Sequence, residues 1–438
     1  MHWLQAQEDG GYDLQALQLD IVGFLAILGE GSVLANAQVS TLSRWIFLPR
    51  LIPAPQALMR PARPLELEPV PGFVSGVWSG NDRDNVNHIA SIVWSQIWEA
   101  CDANELPPFS VRVVSIQRVD ETKPLKVRTF APLTFVAVIG CSLSILLLVL
   151  SIHLRDGMSI LATVLLSLLS TLIGLGNFWT LRLPERLQDQ QKKNQESKHG
   201  KPQERPHAEE RPDEEKNDRE DYVPPGDLVI RYPRGTFLVV RCHENVAREL
   251  YFAPVEIDYY LKHAWAYRLL SLVGTMMLMG GVVCLANAKI ESQIAWAGSY
   301  MLLGSSYWIV AALPGKLHWD TSAYRVVPEA LSDSIQTETG TWYSPSQTFT
   351  QALWKAIVVS KDTGWVHRNN ACPSTTMWDD WLQMAKSCSG DFKEGEAHPI
   401  ASGVRTWAIP SWDPQKYFTE LLQTEARKRG VSHLARHA

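Results

Sequence analysis

The chain lacks the marks of a secreted, disulfide-braced protein. No Asn-X-Ser/Thr acceptor occurs in it, which fits soluble parts that never enter a secretory lumen. It has only six cysteines, and no two of them form a CxxC pair. Cys141 and Cys284 fall in apolar runs, while Cys101, Cys242, Cys372 and Cys388 are scattered, a spread that suits a reducing compartment. The start, Met1-His2-Trp3-Leu4, has no basic region followed by an apolar run, so no cleavable signal is expected. No phosphate-cradling glycine loop, HExxH or GxSxG is found. Nor does one sign of charge dominate: the formal net charge is −5 with acids and bases mixed, so nucleic acid is not an expected partner.

The absence that organises the chain is local. Ala131–Leu154, Met158–Trp179 and Ser292–Leu313 contain no Asp, Glu, Lys or Arg, and Arg268–Ala288 contains only its first residue. At about 1.5 Å rise per residue each run is long enough to cross about 30 Å of hydrocarbon. The polar links between paired runs, Arg155-Asp156-Gly157 and Lys289-Ile290-Glu291, are too short to hold a domain. The runs therefore read as two helical hairpins, 131–179 and 268–313. The expected fold is a membrane protein, mainly α-helical, with four transmembrane helices as two hairpins and small α+β cytoplasmic modules. The apolar fraction of 46% looks ordinary only because these runs are averaged with polar text.

Positive charge sits on one side of the runs. Arg118, Lys123, Lys126 and Arg128 precede the first, and Arg182, Arg186, Lys192, Lys193 and Lys198 follow the second. Lys262 and Arg268 open the third, and Lys316 and Arg325 follow the fourth. Each short link holds one basic residue beside an acid. The positive-inside rule then puts both termini and the middle segment in the cytoplasm.

Residues 1–70 combine a short helix over 14–29 with a proline-punctuated extended segment. In the latter, Trp45, Phe47 and Arg50 fit either a membrane interface or packing on a neighbouring domain. Residues 71–130 read as a small α+β unit, with an amphipathic helix over 85–103 and a strand over 111–119. Residues 183–222 are charged and nearly free of apolar side chains, so disorder is expected. Residues 224–265 hold short strands, turned at Pro233-Arg234-Gly235, and a helical entry over 256–265. Three strands alone are barely stable, so they either pair with 111–119 or pack on other cytoplasmic parts. Residues 319–438 form a helical, tryptophan-rich domain with helices over 349–359, 376–388 and 415–429.

Three groups bear on chemistry. His367, Cys372, Cys388 and His398 are spaced loosely like a zinc site but lack the compact pairs such sites use. Cys242-His243-Glu244 ends a strand without an oriented third partner for a nucleophile. Asp379 and Asp380 are neighbours on a helix and point in different directions, against paired acid–base work. No catalytic residue, cofactor or metal is expected from them. Ion pathways need ionisable groups at depth, and the run interiors offer Ser, Thr and Cys; their glycines suit close helix packing.

The stretch Gly226-Asp227-Leu228-Val229-Ile230-Arg231-Tyr232-Pro233-Arg234-Gly235-Thr236-Phe237-Leu238-Val239-Val240, with Arg248-Glu249-Leu250-Tyr251-Phe252-Ala253-Pro254, resembles a set of uncharacterised fungal multi-pass integral membrane proteins. The resemblance implies a filamentous-fungal source and a membrane-embedded role, and brings no activity, cofactor or site residues. The expected function is a scaffold or anchor that uses the lipid bilayer and presents cytoplasmic modules to protein or lipid partners. A transporter or channel subunit and a membrane-tethered enzyme are the alternatives.

Overall fold

The computed structural model describes residues 30–60, 62–94, 107–120, 126–182, 224–253, 256–337, 341–390 and 404–436. The helix expected at 14–29, the charged linker expected at 183–222 and His398 lie outside these residues. The chain divides into two compact units, each assembled from three stretches. One takes 1–67, 125–182 and 256–320; the other takes 68–124, 183–255 and 321–438.

Four long helices dominate the first unit: α1 (Pro132–His153), α2 (Gly157–Asn177), α3 (Ala264–Ala286) and α4 (Ile290–Ala311). Pro132 stands in the first turn of α1, where its missing N–H has no intrahelical partner to lose. Serines knit the helices together: Ser151 and Ser159 hydroxyls meet at 2.7 Å, Ser144 pairs with Ser167, and Trp296 Nε1 donates to Ser159 Oγ at 3.3 Å.

Asp156 closes both helix-pair turns. Its Oδ1 accepts from the Ser159 N–H at 3.2 Å and caps α2, while its Oδ2 accepts from the N–H of Lys289, the N-cap of α4, at 2.8 Å. Burial pushes this carboxyl up, but hydrogen bonds from Lys289, Ser292, Ser159 and Met158 together hold it below its ordinary value. The stability it contributes is present above the unfolded-chain value of about 3.9 and is lost as pH falls through the lower folded one. Asp156→Ala is expected to cost about 1–3 kcal/mol at neutral pH. The check is thermal unfolding in detergent, where the gap to wild type should narrow as the medium is acidified.

The proline-punctuated segment packs into this unit instead of running over a surface. The Leu51 N–H donates to Gly140 O at 3.3 Å and the Arg50 N–H to Ser170 Oγ at 3.0 Å. A Cβ at Gly140 or Gly174 would stand 2.8 Å from the carbonyl oxygen of Leu51 or Ile46, so these glycines admit a backbone, not only another helix. Leu51, Ile52, Ala57 and Leu58 are buried, as packing on neighbours requires, whereas Trp45 and Phe47 stay partly exposed. Arg50 is 3% exposed, so a cation does enter the helix unit, from outside the four apolar runs. The helical entry expected over 256–265 is replaced at Glu256–Tyr259 by a strand antiparallel to Trp179–Arg182. Trp179, read as the end of an apolar run, opens that ribbon.

The second unit overturns the expected fold class. In place of small modules beside a mainly helical four-span membrane protein, it holds a mixed sheet of seven strands. These are β1 (Val70–Gly76), β2 (Asp82–Val86), β3 (Val111–Arg118), β4 (Leu228–Tyr232), β5 (Thr236–Arg241), β6 (Tyr324–Leu331) and β7 (Thr406–Trp407), in the order β7-β6-β3-β5-β4-β1-β2. Among the described residues three helices, α1, α2 and α3, are long and apolar enough to cross a membrane. The fourth, α4, opens on Glu291-Ser292-Gln293 and turns Trp296, Tyr300, Leu303 and Tyr307 into protein. Its aromatics Trp296, Tyr300 and Tyr307 are buried, and Trp308 is exposed.

The 111–119 strand does pair with the 224–265 strands: β3 runs parallel to β5, with Val111 opposite Phe237 and Ser115 opposite Arg241. Its other neighbour, β6, is antiparallel, with Tyr324 opposite Arg118. β4 and β5 are buried along most of their length and read as near-continuous apolar runs, as covered sheets require, while β3 is buried over Val111–Val114 but interrupts its apolar text with Arg112, Ser115 and Gln117. One face carries α5 (Phe349–Ser360) and α6 (Thr376–Ser389), whose Leu353, Trp354, Ile357, Trp381 and Leu382 share a core with Val113, Val229, Phe237 and Val239. Thr348 and Thr375 cap these helices by accepting from the Gln351 and Trp378 N–H groups. α7 (Pro414–Arg436) follows, started by Asp413 Oδ1 accepting from the Gln415 and Lys416 N–H groups. The helix expected to begin at residue 85 starts at His88, since Asp82–Val86 pairs with β1 as an edge strand.

Candidate functional site

The C-terminal ends of the parallel pair β3 and β5 open into a pocket of 420 Å³. It lies wholly within the sheet unit. Ser115 and Gln117 come from β3, Arg241, Cys242 and His243 from the end of β5, and Ser360 and Lys361 from the end of α5. Trp78, Asp227, Arg405 and Trp407 complete its polar and aromatic lining.

Trp407 is its centre. The Arg241 guanidinium stands 4.8 Å from the Trp407 ring centroid, that of Arg405 5.0 Å and the Lys361 ammonium 5.9 Å. Three cations around one indole gain from its negative face. Glu329 of β6, 5% exposed, fixes the arrangement from behind. Its Oε2 accepts from Trp407 Nε1 at 2.6 Å, and its Oε1 accepts from Arg241 at 3.3 Å. Glu329 is thereby occupied, whereas neither Lys361 nor Arg405 has a carboxylate within ion-pair distance among the described residues. Lys361 is the C-cap of α5, at φ +55°, where its charge opposes the partial negative charge of the helix end.

Asp227 faces Arg241 across the pocket and accepts from the Cys242 N–H at 3.1 Å. Burial pushes its carboxyl up, and the Arg241 charge and the Cys242 and Trp78 hydrogen bonds only partly offset this. Burial, with Asp227 and Glu244 adding to it, pushes the Cys242 thiol well up. That thiol donates to Gly226 O at 3.3 Å, and the Glu244 carboxylate accepts from Arg248 at 2.8 Å. Cys242-His243-Glu244 thus serves as a strand end whose members face different partners.

The zinc-like group is partly assembled. Cys372 Sγ lies 3.7 Å from His367 Nδ1, and His367 Nε2 lies 3.2 Å from Asp379 Oδ1. Cys388 packs at the edge of the α5–α6 core. Among the described residues no group of three or more His, Cys, Asp and Glu side chains is placed to hold a metal ion. A Cys–His–Asp relay needs a thiolate to act as nucleophile. Burial, with Asp379 adding to it, pushes the Cys372 thiol up to about 11, so it stays protonated at neutral pH.

Sequence reasoning missed Arg241, Glu329, Lys361, Arg405 and Trp407 as a group. They come from three strands, the residue before one of them and a helix end, and only Arg405 and Trp407 are close in sequence. The chain matches no family model, no curated protein and no solved structure.

Proposed function

We propose that this chain is a membrane-anchored, non-catalytic protein that presents its sheet unit in the cytoplasm for contacts with protein or lipid partners. The observation that carries this reading is the sheet's connectivity. β1–β3 precede α1, β4 and β5 lie between α2 and α3, and β6 and β7 follow α4. Strands hydrogen-bonded in one sheet share a compartment, so the chain enters and leaves each helix pair on the same side. The basic residues flanking those pairs favour the cytoplasm as that side. α1, α2 and α3 supply the apolar length for anchoring, and they leave Phe135, Leu146, Val149, Leu168, Leu272 and Met276 exposed. The resemblance of 226–254 to fungal membrane proteins accords with this reading.

The test is affinity capture of the full chain from detergent-solubilised membranes. The reading expects the chain to stay in the membrane pellet through alkaline carbonate and then to be recovered with a partner at stoichiometric level. Release by carbonate defeats the anchor, and recovery with neither a protein nor a lipid at stoichiometric level removes the scaffold.

A further inference from the structure

We propose that the pocket around Trp407 binds the phosphate monoester of a small hydroxylated molecule, gripping the phosphate with Lys361 and Arg405. The inference goes beyond the anchoring role and does not depend on it. Charge comes first. Of the cations on the Trp407 ring, Arg241 is taken up by Glu329, and Lys361 and Arg405 are left without a carboxylate partner among the described residues. Two such cations match a phosphate monoester, which is close to a dianion at neutral pH, better than a single carboxylate.

Geometry comes second. A guanidinium offers a planar fork that meets phosphate oxygens two at a time. The Arg405 guanidinium lies 5.0 Å from the Trp407 centroid, and Trp407 is itself held by Glu329 at 2.6 Å. A fork steadied in this way loses less freedom on binding than a free surface arginine.

The rest of the lining describes the ligand's other end. Asp227, Gln117 and His243 reach the same space, and the two first of these offer acceptor oxygens to hydroxyl donors. A bare carboxylate wall would repel a polyanion, but Asp227 is a single carboxyl faced by the Arg241 charge. The 420 Å³ volume falls in the range of small-molecule sites and exceeds what phosphate alone would fill. Trp78 supplies a flat apolar wall against which a sugar-like ring can lie.

Such a phosphate ester is either a soluble sugar phosphate or the headgroup of a phosphorylated inositol lipid, and the test separates them. Purified full chain in detergent is titrated by calorimetry with glucose, glucose 6-phosphate and dioctanoyl phosphatidylinositol 4-phosphate. The expectation is that at least one phosphate ester binds, with glucose at least about tenfold weaker. K361Q and R405Q should each weaken binding about tenfold or more while R405K keeps part of it. Thermal unfolding confirms that each variant is folded. K361Q changes a half-buried helix cap, so it serves if R405Q does not fold. Tighter binding of the sugar phosphate assigns a soluble ligand, and tighter binding of the lipid assigns a headgroup. Failure of both esters to bind wild type, equal binding of glucose, or an unchanged affinity in folded K361Q overturns the site, and each leaves the membrane-anchor reading standing.

Discussion

Replacing Trp381 with alanine is expected to destabilise the sheet unit by about 3–5 kcal/mol, the range for truncating a fully buried aromatic side chain. Trp381 is 0% exposed, and its ring centroid lies 5.5 Å from that of Trp378 and 5.6 Å from that of Trp412. Trp412 in turn stands 4.6 Å from Trp354 of α5, and Trp378 stands 4.7 Å from Phe418 of α7. The loss therefore spreads to three helices. Trp381 Nε1 also donates to Pro414 O at 3.0 Å and fixes the start of α7 on α6. Trp381→Phe keeps most of the ring volume and loses that donor, so about 1–2 kcal/mol is expected. The measurement is the thermal midpoint of the full chain in detergent, which should fall by about 10 °C for alanine and by a few degrees for phenylalanine. Equal midpoints for the two variants would show that volume does not hold these helices together.

The second large effect is at Glu329. Glu329→Ala removes the acceptor for Trp407 Nε1 and the one ion-pair partner of Arg241 among the described residues. The Arg241 side chain is 21% exposed, so solvent compensates part of the loss, and about 2–4 kcal/mol is expected, somewhat less than for a fully enclosed pair. Glu329→Gln retains an acceptor and removes the negative charge. It should cost less stability and bind phosphate esters more tightly than wild type, since Arg241 then joins the cations available to the ligand. Calorimetry on this variant reads that rise. A fall in affinity with the fold intact would mean that Trp407's position matters more than the pocket's charge.

What could be read along the chain was local. α5, α6 and α7 follow from Thr348, Thr375 and Asp413-Pro414 at their starts and from apolar side chains at helical spacing. The turn at Pro233-Arg234-Gly235 could likewise be read, because positive φ at Arg234 and Gly235 suits a tight reversal between β4 and β5. The sheet as a whole could not. β3 and β5 are parallel neighbours with both helices of the first pair between them in sequence, so no turn announces their register. β2, Asp-Arg-Asp-Asn-Val, is polar because it is an edge strand, and β6 carries Pro328 and Glu329, which disguise it. The fourth apolar run misled for the opposite reason. Its freedom from charge over 292–313 matched a lipid-facing helix, yet Trp296, Tyr300 and Tyr307 are apolar residues spent on protein neighbours. The pocket was invisible because Glu329 and Trp407 meet only once β6 and β7 are paired.

Three stretches of chain, parted by helix pairs, meet in one sheet, which we propose to lie on the cytoplasmic side. The sequence has no Asn-X-Ser/Thr acceptor, so introduced ones report without background. Asn-Gly-Ser is inserted singly in the exposed turns at Gly80, Arg234 and Ser374, one in each stretch, and glycosylation is read by mobility shift in a eukaryotic host. All three chains should remain unmodified. Modification at one or two of the positions would contradict the shared compartment, and modification at all three would contradict the cytoplasmic side.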